Sequence, residues 1–320
     1  MEIHGFCDER FAGVREVFEA NFTERGDVGA SFAATVDGEY VIDLWAGHAD
    51  AARTRPWTED TIVNVYSTTK TMTFLCALML ADRGELDLDA PVVEYWPEYG
   101  QNGKEKTLVR HFLSHSAGVP GFDPAVDSAT LYDWDACTAN LAAQAPWWEP
   151  GSKSGYHAIT QGYLIGELVR RITGRSFGTF FREAVAEPVG ADFHVGLPPA
   201  EFDRVAEMIP AAADGEITPP TMDPDSIPAR VFRSAGLANT VNTPGWRQAE
   251  IPAANGHGNA RSVVRAQTAL ANGGSAFGVN LLSEAGCRRM LEEQISGPDA
   301  VLIMPIRFGM GYAFPNELMP

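Results

Sequence analysis

The sequence predicts a mixed α/β protein with antiparallel β-structure near its N-terminus. Two apolar, β-prone runs, 30–36 and 39–45, are separated by Asp37-Gly38, which is typical of the turn in a tight hairpin. A helix predicted over residues 67–83 follows this hairpin. Its apolar side chains leave almost no polar face, which is typical of a helix buried at the centre of a protein. The hairpin and the buried helix together favour the α/β class.

The remaining chain is predicted to be mainly helical. Residues 11–22 have apolar side chains at helical spacing, and the same period recurs over 160–171, 176–187 and 261–271. Segment 209–228 carries five prolines among polar residues, and this composition predicts a loop or lid. The antiparallel part is therefore followed by a long helix-rich part.

Composition excludes several function classes. The 320 residues are 45% hydrophobic, which fits a folded globular protein, and 42 acidic against 24 basic residues give a net charge of −18. Nucleic acid and anionic membranes are therefore not expected as partners. The four scattered cysteines form no C-x-x-C pair, and we find no secretory leader and no run of about 18 apolar residues. These features predict a cytoplasmic protein.

Ser67 and Lys70 form the most informative motif, S-x-x-K, at the start of the predicted buried helix. Residues three apart on a helix lie on the same face, about one turn from each other. The first N–H groups of a helix have no partner within it, and they lie at its positive end. A nucleophile, its base and one oxyanion donor can therefore occupy four consecutive residues.

Tyr156 is a second candidate, placed by a turn that includes Pro150-Gly151. A tyrosine near a lysine ammonium can have a lowered pKa and act as a base at neutral pH. The alternative is structural, since most tyrosines pack a ring and satisfy a hydroxyl. His157, taken alone, is equally well explained as a surface or core residue.

Two other patterns favour structural explanations. The run from Gly174 to Gly178 matches the G-x-S-x-G nucleophile elbow, but it follows a predicted helix instead of a strand. We therefore interpret Gly174 as a helix stop and Ser176 as the N-cap of the next helix. His111 and His115 are four apart but lack the glutamate of zinc proteases, so no metal is predicted. No nucleotide motif is present, and no cofactor is implied.

A series of motifs in order resembles the serine β-lactamase superfamily, in particular class C β-lactamases and family VIII carboxylesterases. The resemblance covers roughly residues 10–315. It is carried by Val65-Tyr66-Ser67-Thr68-Thr69-Lys70, Leu86-Asp87-Leu88-Asp89-Ala90-Pro91-Val92, His111-Phe112-Leu113-Ser114-His115-Ser116-Ala117-Gly118-Val119-Pro120, Pro150-Gly151 before Tyr156, Thr173-Gly174-Arg175-Ser176-Phe177 and Pro188-Val189-Gly190.

The resemblance implies a β-lactamase-like fold. It consists of an antiparallel sheet flanked by helices, made from both chain ends, and an inserted all-helical domain. The expected boundaries are 1–80 with 250–320 for the sheet domain and 81–249 for the helical domain. The active site is expected in the cleft between the two domains.

Site residues follow from the same resemblance. Ser67 corresponds to the acylated nucleophile, Lys70 to its proton acceptor, and Tyr156 to the tyrosine that relays protons and activates water. The candidates for substrate contact are Tyr66, His157 and His257.

Two departures from the family pattern affect the expected activity. Class C β-lactamases have an asparagine two residues after the tyrosine, where this chain has Ala158, and this favours simple esters over penicillins. The family's third motif, on a late strand, has no counterpart here. The nearest string, 256–259, precedes a predicted helix and comes too early. The sequence is therefore expected to represent a shortened member without the final strands.

The predicted function is a serine carboxylesterase that cleaves small carboxylic esters through a Ser67 acyl-enzyme. Whether Lys70 or Tyr156 is the general base remains open at this stage. The alternatives are a β-lactamase or penicillin-binding D-Ala-D-Ala peptidase, and a non-catalytic member of the fold. The predicted partner is a small-molecule ester, and no oligomeric state is predicted.

Overall fold

The computed structural model describes residues 1–210, 223–235 and 240–318. The strands are β1 (Ile3–Cys7), β2 (Gly29–Val36), β3 (Glu39–Gly47), β4 (Val63–Asn64), β5 (Phe193–His194), β6 (His257–Gly258), β7 (Ser275–Ala276), β8 (Val279–Asn280), β9 (Ile295–Pro298) and β10 (Pro305–Phe308). The α-helices are α1 (Ala12–Glu24), α2 (Thr69–Asp82), α3 (Val109–Leu113), α4 (Ser128–Leu131), α5 (Trp134–Ala143), α6 (Thr160–Thr173), α7 (Phe177–Phe181), α8 (Glu187–Val189), α9 (Ile227–Arg233), α10 (Pro244–Gln248), α11 (Ala260–Ala271) and α12 (Glu284–Arg289).

The predicted hairpin is formed by β2 and β3, which pair antiparallel, and β1 pairs with the other edge of β3. Asp37 and Gly38 both have positive φ, 51° and 85°. Positive φ at both central residues is the geometry that a type I′ hairpin turn requires, and aspartate followed by glycine tolerates it. The hairpin prediction is confirmed.

Helices cover both faces of this three-stranded sheet. On one face Phe18 of α1 packs with Ile42 and Leu44. On the other face Arg261 of α11 forms an ion pair with Asp43 of β3. Within the described ranges, the C-terminal region supplies a helix to this sheet and no strand. This differs from the expected sheet built from both chain ends: among the described residues, β9 and β10 form a separate two-stranded sheet.

The second sheet is short and carries the chain into the predicted nucleophile. Its order is β4-β6-β5, with all pairs antiparallel. Val65, just after β4, donates its N–H to Gly256 O at 2.9 Å. A 3₁₀ turn over Tyr66–Thr68 follows and leads into α2. Ser67 therefore lies in the turn that precedes α2. The sequence-based prediction that Ser67 is the first residue of the helix was wrong.

The central helix α2 is buried on all sides, as its composition predicts. Met72 and the side chains from Phe74 to Leu80 belong to the largest hydrophobic core, and α6, α11 and α12 pack around the helix. Gly84 has φ +71° just past the end of α2, the left-handed conformation in which a helix commonly ends. Among the residues that the structure describes, no helix is long and apolar enough to cross a membrane.

The other helix predictions are confirmed with small shifts at their ends. Gly174 is left-handed (φ +69°) at the end of α6, and Ser176 accepts the Thr179 N–H as the N-cap of α7. The element directly before Ser176 is the helix α6 and not a strand, so the nucleophile elbow is excluded, as predicted. Residues 182–186 form a π-helix that joins α7 to α8.

The predicted proline-rich loop is correct only in part. Residues 211–222 of this segment lie outside the described residues. Ile227–Arg233 is a helix, with Ser226 as its N-cap and Pro228 in its first turn. A proline in the first turn costs little, because the N–H that it lacks would have no partner there.

Gly162 lets α6 approach the backbone that precedes β6. A Cβ built on Gly162 would lie 2.4 Å from Ala253 N and 2.7 Å from Pro252 C, closer than real contacts allow. Pro252 O in turn accepts the Thr73 hydroxyl of α2 at 2.5 Å. This close packing of three backbone segments brings Ala253 next to α2.

We expect Gly162→Ala to lower the free energy of unfolding by about 1–3 kcal/mol, because the added methyl overpacks a rigid backbone contact. The matched control is Gly13→Ala in α1, where a Cβ meets no atom within 4 Å. Gly13→Ala should raise stability by about 0.5–1 kcal/mol through helix propensity. Urea unfolding of both variants checks this prediction, and equal effects would contradict it.

Candidate active site

The turn that holds Ser67 is strained and is fixed by Thr69. Tyr66 has φ +43°, a conformation that costs energy for a bulky residue and that is found at functional sites. The Thr69 hydroxyl donates to Tyr66 O at 2.6 Å and accepts the Gly256 N–H at 2.8 Å. This buried threonine therefore ties the turn to the backbone before β6. Ser67 itself is exposed at the head of α2.

Ser67 also presents its backbone N–H. In the described part of the chain, no carbonyl accepts this N–H, as expected for a residue in the first turn of a helical segment. The positive end of α2 lies at the same place. The Ser67 N–H is therefore a candidate oxyanion donor.

Lys70 is buried, and its amine lies 3.2 Å from Ser67 Oγ. Two backbone carbonyls accept hydrogen bonds from Nζ, Ala158 O at 2.7 Å and Ala253 O at 2.8 Å. In the described ranges no carboxylate forms an ion pair with Lys70. Burial without a counter-charge lowers the pKa of Lys70 to about 7.

The three hydrogen-bond partners of Lys70 fit its neutral form as well as its ammonium form. A neutral amine has two N–H donors and one lone pair. In the neutral form the two donors can bond to the Ala158 and Ala253 carbonyls and the lone pair can face the Ser67 hydroxyl, whereas the ammonium would donate its third proton to Ser67 Oγ. Burial, which lowers the pKa of Lys70 to about 7, is what favours an amine that can accept a proton from Ser67.

Tyr156 lies beside this pair. Its ring centroid is 4.9 Å from Lys70 Nζ, and Tyr156 lines the same pocket as Ser67. Burial raises the pKa of Tyr156; the nearby Ser67 hydroxyl lowers this pKa in part, and the Asp299 carboxylate raises it further. The expected lowering of this pKa by a lysine ammonium was wrong, because burial dominates and also lowers the pKa of Lys70. Tyr156 therefore holds its proton at neutral pH.

His111 and His115, the pair considered for a metal site, each accept a hydrogen bond from a backbone N–H. His111 Nδ1 accepts the Leu108 N–H at 3.2 Å, and His115 Nδ1 accepts the His157 N–H at 3.0 Å. His115 is buried against the Tyr156 ring, with 4.7 Å between centroids. Apart from the family motif that contains it, the sequence does not indicate that His115 helps to place the segment that carries Tyr156.

His157 and His257 do not occupy positions for substrate contact. His157 is fully buried, where Nε2 accepts the Val119 N–H at 3.3 Å and Nδ1 lies 2.6 Å from Gly155 O. His257 is fully buried in β6. Burial lowers the pKa of each to about 4, so both are neutral. The substrate-contact prediction for these histidines does not fit their burial, and we withdraw it.

Ser67 opens into a pocket of about 450 Å³. This volume is within the usual range for a small-molecule site. Tyr66, predicted to contact substrate, lies in its wall and is exposed; that role stays a prediction. The sequence motifs did not identify most of the apolar residues that line this pocket. The lining residues are Tyr66, Ser67, Tyr156, Ala158, Ile159, Met208, Ile209, Pro210, Phe232, Thr240, Val241, Asn242, Trp246 and Ala254.

Comparison with known proteins places this geometry in a family. A family model described as Beta-lactamase matches residues 15–317. The chain belongs to the β-lactamase family. The family membership predicted from the sequence motifs is therefore confirmed.

Individual members of the β-lactamase family resemble the chain over nearly its whole length. Esterase/beta-lactamase LipL of Mycobacterium tuberculosis is 38% identical in a match that covers 97% of this chain and 74% of LipL. The crystal structure of a family VIII carboxylesterase has a TM-score of 0.90 and 41% identity, over 99% of this chain and 84% of that chain.

A penicillin-binding protein homologue from Caulobacter crescentus also matches, with a TM-score of 0.87 and 43% identity. That match covers 98% of this chain and 83% of the homologue. The predicted β-lactamase-like fold is confirmed by these similarities. What they establish for this chain is membership of a family that includes esterases and β-lactamases.

The lowered pKa of Lys70 makes stability depend on pH. Between about pH 7 and the ordinary lysine pKa of ~10.4, the unfolded chain holds a proton on Lys70 that the folded chain has released. Stability therefore rises with pH in this window, by on the order of 1 kcal/mol per pH unit. Urea unfolding between pH 7.5 and 9.5 should show this rise for the wild type relative to Lys70→Met. Parallel pH curves for the two proteins would contradict it.

Proposed function

We propose that this protein is a serine hydrolase that cleaves small carboxylic esters through an acyl-enzyme on Ser67. The observation that carries the proposal is the buried Lys70 amine, which has no counter-charge in the described residues and lies 3.2 Å from Ser67 Oγ. An amine in this environment is a base at neutral pH, and a serine needs such a base to become a nucleophile. Of the two candidates left open by the sequence, Lys70 is therefore the proposed base.

Acylation begins when Lys70 takes the Ser67 proton and Oγ attacks the ester carbonyl carbon. The negative charge that develops on the carbonyl oxygen is stabilised by the Ser67 N–H and the positive end of α2. As the C–O bond to the alcohol breaks, Tyr156 gives its proton to the leaving oxygen. Its raised pKa suits this role as an acid. The Lys70 ammonium then returns a proton to the tyrosinate.

Deacylation repeats these steps with water as the nucleophile. Lys70 accepts a proton from the water as its oxygen attacks the acyl carbonyl, and a second tetrahedral intermediate forms. When this intermediate collapses, the proton passes to Ser67 Oγ and the carboxylic acid leaves. The net reaction is the hydrolysis of one ester by one water, and Ser67, Lys70 and Tyr156 are restored.

The pocket supports esters as substrates. Most of its wall is apolar, including Ile209, Phe232 and Trp246, which suits an alkyl or aryl group. Ala158 lines the pocket at the position where class C β-lactamases have an asparagine, so no side-chain amide meets a lactam substituent there. The similarity to a family VIII carboxylesterase and to LipL points in the same direction.

The mechanism predicts the effect of removing each of the three groups. With p-nitrophenyl butyrate, Ser67→Ala and Lys70→Ala should each lower kcat/KM at least about 10³-fold, because nucleophile and base act as a unit. Tyr156→Phe should cost about 10²–10³-fold, as for loss of a general acid. Steady-state kinetics of purified variants, with circular dichroism to verify folding, check this expectation.

The chain offers matched controls for these variants. Ser176→Ala removes the serine of the G-x-S-x-G string, and Lys153→Ala removes an exposed lysine three residues before Tyr156. Both should keep near-wild-type activity. Unchanged hydrolysis in Ser67→Ala would refute the nucleophile. A folded wild type that neither hydrolyses esters nor reacts with a fluorophosphonate would favour the non-catalytic alternative.

The β-lactamase alternative is kept because LipL is named for both activities. We expect kcat/KM for p-nitrophenyl butyrate to exceed that for nitrocefin by at least about tenfold, since Ala158 provides no amide contact for a lactam substituent. Ala158→Asn should narrow this ratio by strengthening nitrocefin binding, by about 1 kcal/mol for one hydrogen bond. A wild type that prefers nitrocefin would overturn the ester assignment.

A further inference from the structure

A buried carboxylate from the C-terminal hairpin reaches the tyrosine of the active site. Asp299 follows β9, is only 1% exposed, and is separated from Tyr156 by 143 residues in sequence. Its Oδ1 accepts the Tyr156 N–H at 3.0 Å, and its Oδ2 accepts the Ser154 hydroxyl at 2.6 Å. Neither the motifs nor the family resemblance had drawn attention to this residue.

Both oxygens of the Asp299 carboxylate accept hydrogen bonds. Besides the two bonds to the tyrosine segment, Oδ1 accepts the N–H groups of Val301 and Leu302, both at 2.8 Å. In the part of the chain that the structure describes, no basic side chain forms an ion pair with Asp299. A buried carboxylate without a cation requires such donors. Asp299 therefore fixes its own loop and the tyrosine segment at once.

Tyr156 depends on such anchors because it lies in neither a helix nor a strand. Three successive N–H groups hold this segment in place. Gly155 donates to His115 O at 3.0 Å, Tyr156 donates to Asp299, and His157 donates to His115 Nδ1 at 3.0 Å. His115 thus holds both neighbours, and Asp299 holds the tyrosine itself.

The C-terminal hairpin and the tyrosine segment each donate a hydrogen bond to the other. Ala300 donates its N–H to Ser154 O at 2.9 Å, next to the bond between Ser154 and the Asp299 carboxylate. Ser154 and Asp299 are both buried. The C-terminal hairpin is therefore attached to the tyrosine segment through main chain and side chain together.

We propose that Asp299 is a positioning residue that sets the Tyr156 hydroxyl against Ser67 and Lys70. The proposal rests on the proposed hydrolase function. Asp299 touches no reacting atom, so its effect on catalysis passes entirely through Tyr156. Removal of its carboxylate leaves the Tyr156 N–H without this acceptor and leaves the hairpin held to the tyrosine segment by the main-chain bond from Ala300 to Ser154. A displacement of the tyrosine by about 1 Å can cost on the order of 10²-fold in rate.

The test is a double-mutant cycle with a sensitive fluorogenic ester, 4-methylumbelliferyl butyrate. Asp299→Ala in the wild-type chain should lower kcat by about ten- to a hundredfold with little change in KM. In the Tyr156→Phe background, where no hydroxyl remains to be placed, the same substitution should lower kcat by less than about threefold. A purely structural loss would lower kcat equally in both backgrounds.

Two further variants test the hydrogen-bond geometry. Asp299→Asn keeps one acceptor oxygen for the three N–H groups, and its amide can donate to the Ser154 hydroxyl, so it should restore most of the activity lost in Asp299→Ala. Ser154→Ala removes one anchor and leaves the carboxylate, with an expected two- to tenfold loss in the wild-type background only. If Asp299→Ala does not fold, Ser154→Ala in both backgrounds still tests the proposal.

Asp82→Ala is the matched control. Asp82 ends α2, roughly 18 Å along the helix from Lys70, and its carboxylate accepts both the N–H and the hydroxyl of Ser283. It also anchors a C-terminal segment, but at a distance from Ser67. Asp82→Ala should lower the melting temperature and leave kcat unchanged.

The outcomes separate the two proposals. Hydrolysis that survives Ser67→Ala would overturn the hydrolase function, and the role of Asp299 with it. Hydrolysis that requires Ser67 and Tyr156, together with an Asp299→Ala loss of equal size in both backgrounds, would overturn only the positioning role. A loss confined to chains that carry Tyr156 supports it.

Discussion

The burial of the Lys70 amine is the constraint on which the rest of the site depends. A buried ammonium without a counter-ion is unstable, so this lysine is driven towards its neutral form, and two main-chain carbonyls provide acceptors for its remaining protons. These carbonyls belong to Ala158 and Ala253, which are 95 positions apart in the chain. The base therefore exists only when α2, the start of α6 and the segment before β6 are packed together.

This requirement explains the close packing around α2. Gly162 on α6 allows the backbone at Pro252 and Ala253 to approach, and Thr73 of α2 holds that backbone by a hydrogen bond to Pro252 O. Thr69, one position before Lys70, ties the strained turn at Tyr66 to Gly256. The hydroxyl of Ser67 and the amine of Lys70 are thus placed by hydrogen bonds between threonine side chains of α2 and main-chain groups on either side of the site.

Ser67 and Ser176 show how far a local motif can be trusted. Both occur in strings typical of a serine nucleophile, yet Ser176 caps a helix and donates its hydroxyl to Glu250, whereas Ser67 faces a pocket beside a lysine. The sequence correctly identified Ser176 as a helix N-cap through the elements on either side of its string. A helix before Ser176 excludes the strand that a nucleophile elbow needs.

Local patterns in the sequence determined the hairpin at Asp37-Gly38, the buried helix α2, the end of α6 and the start of α7, and the spacing of Ser67 and Lys70. These features depend on turn geometry, helical period and capping, which act over a few residues. The ionisation of Lys70 and Tyr156, the burial of His157 and His257, the apolar wall of the pocket and the contact of Asp299 with Tyr156 were decided by the tertiary structure. Each of these depends on how much solvent and which main-chain groups surround a side chain, and segments distant in sequence supply those surroundings.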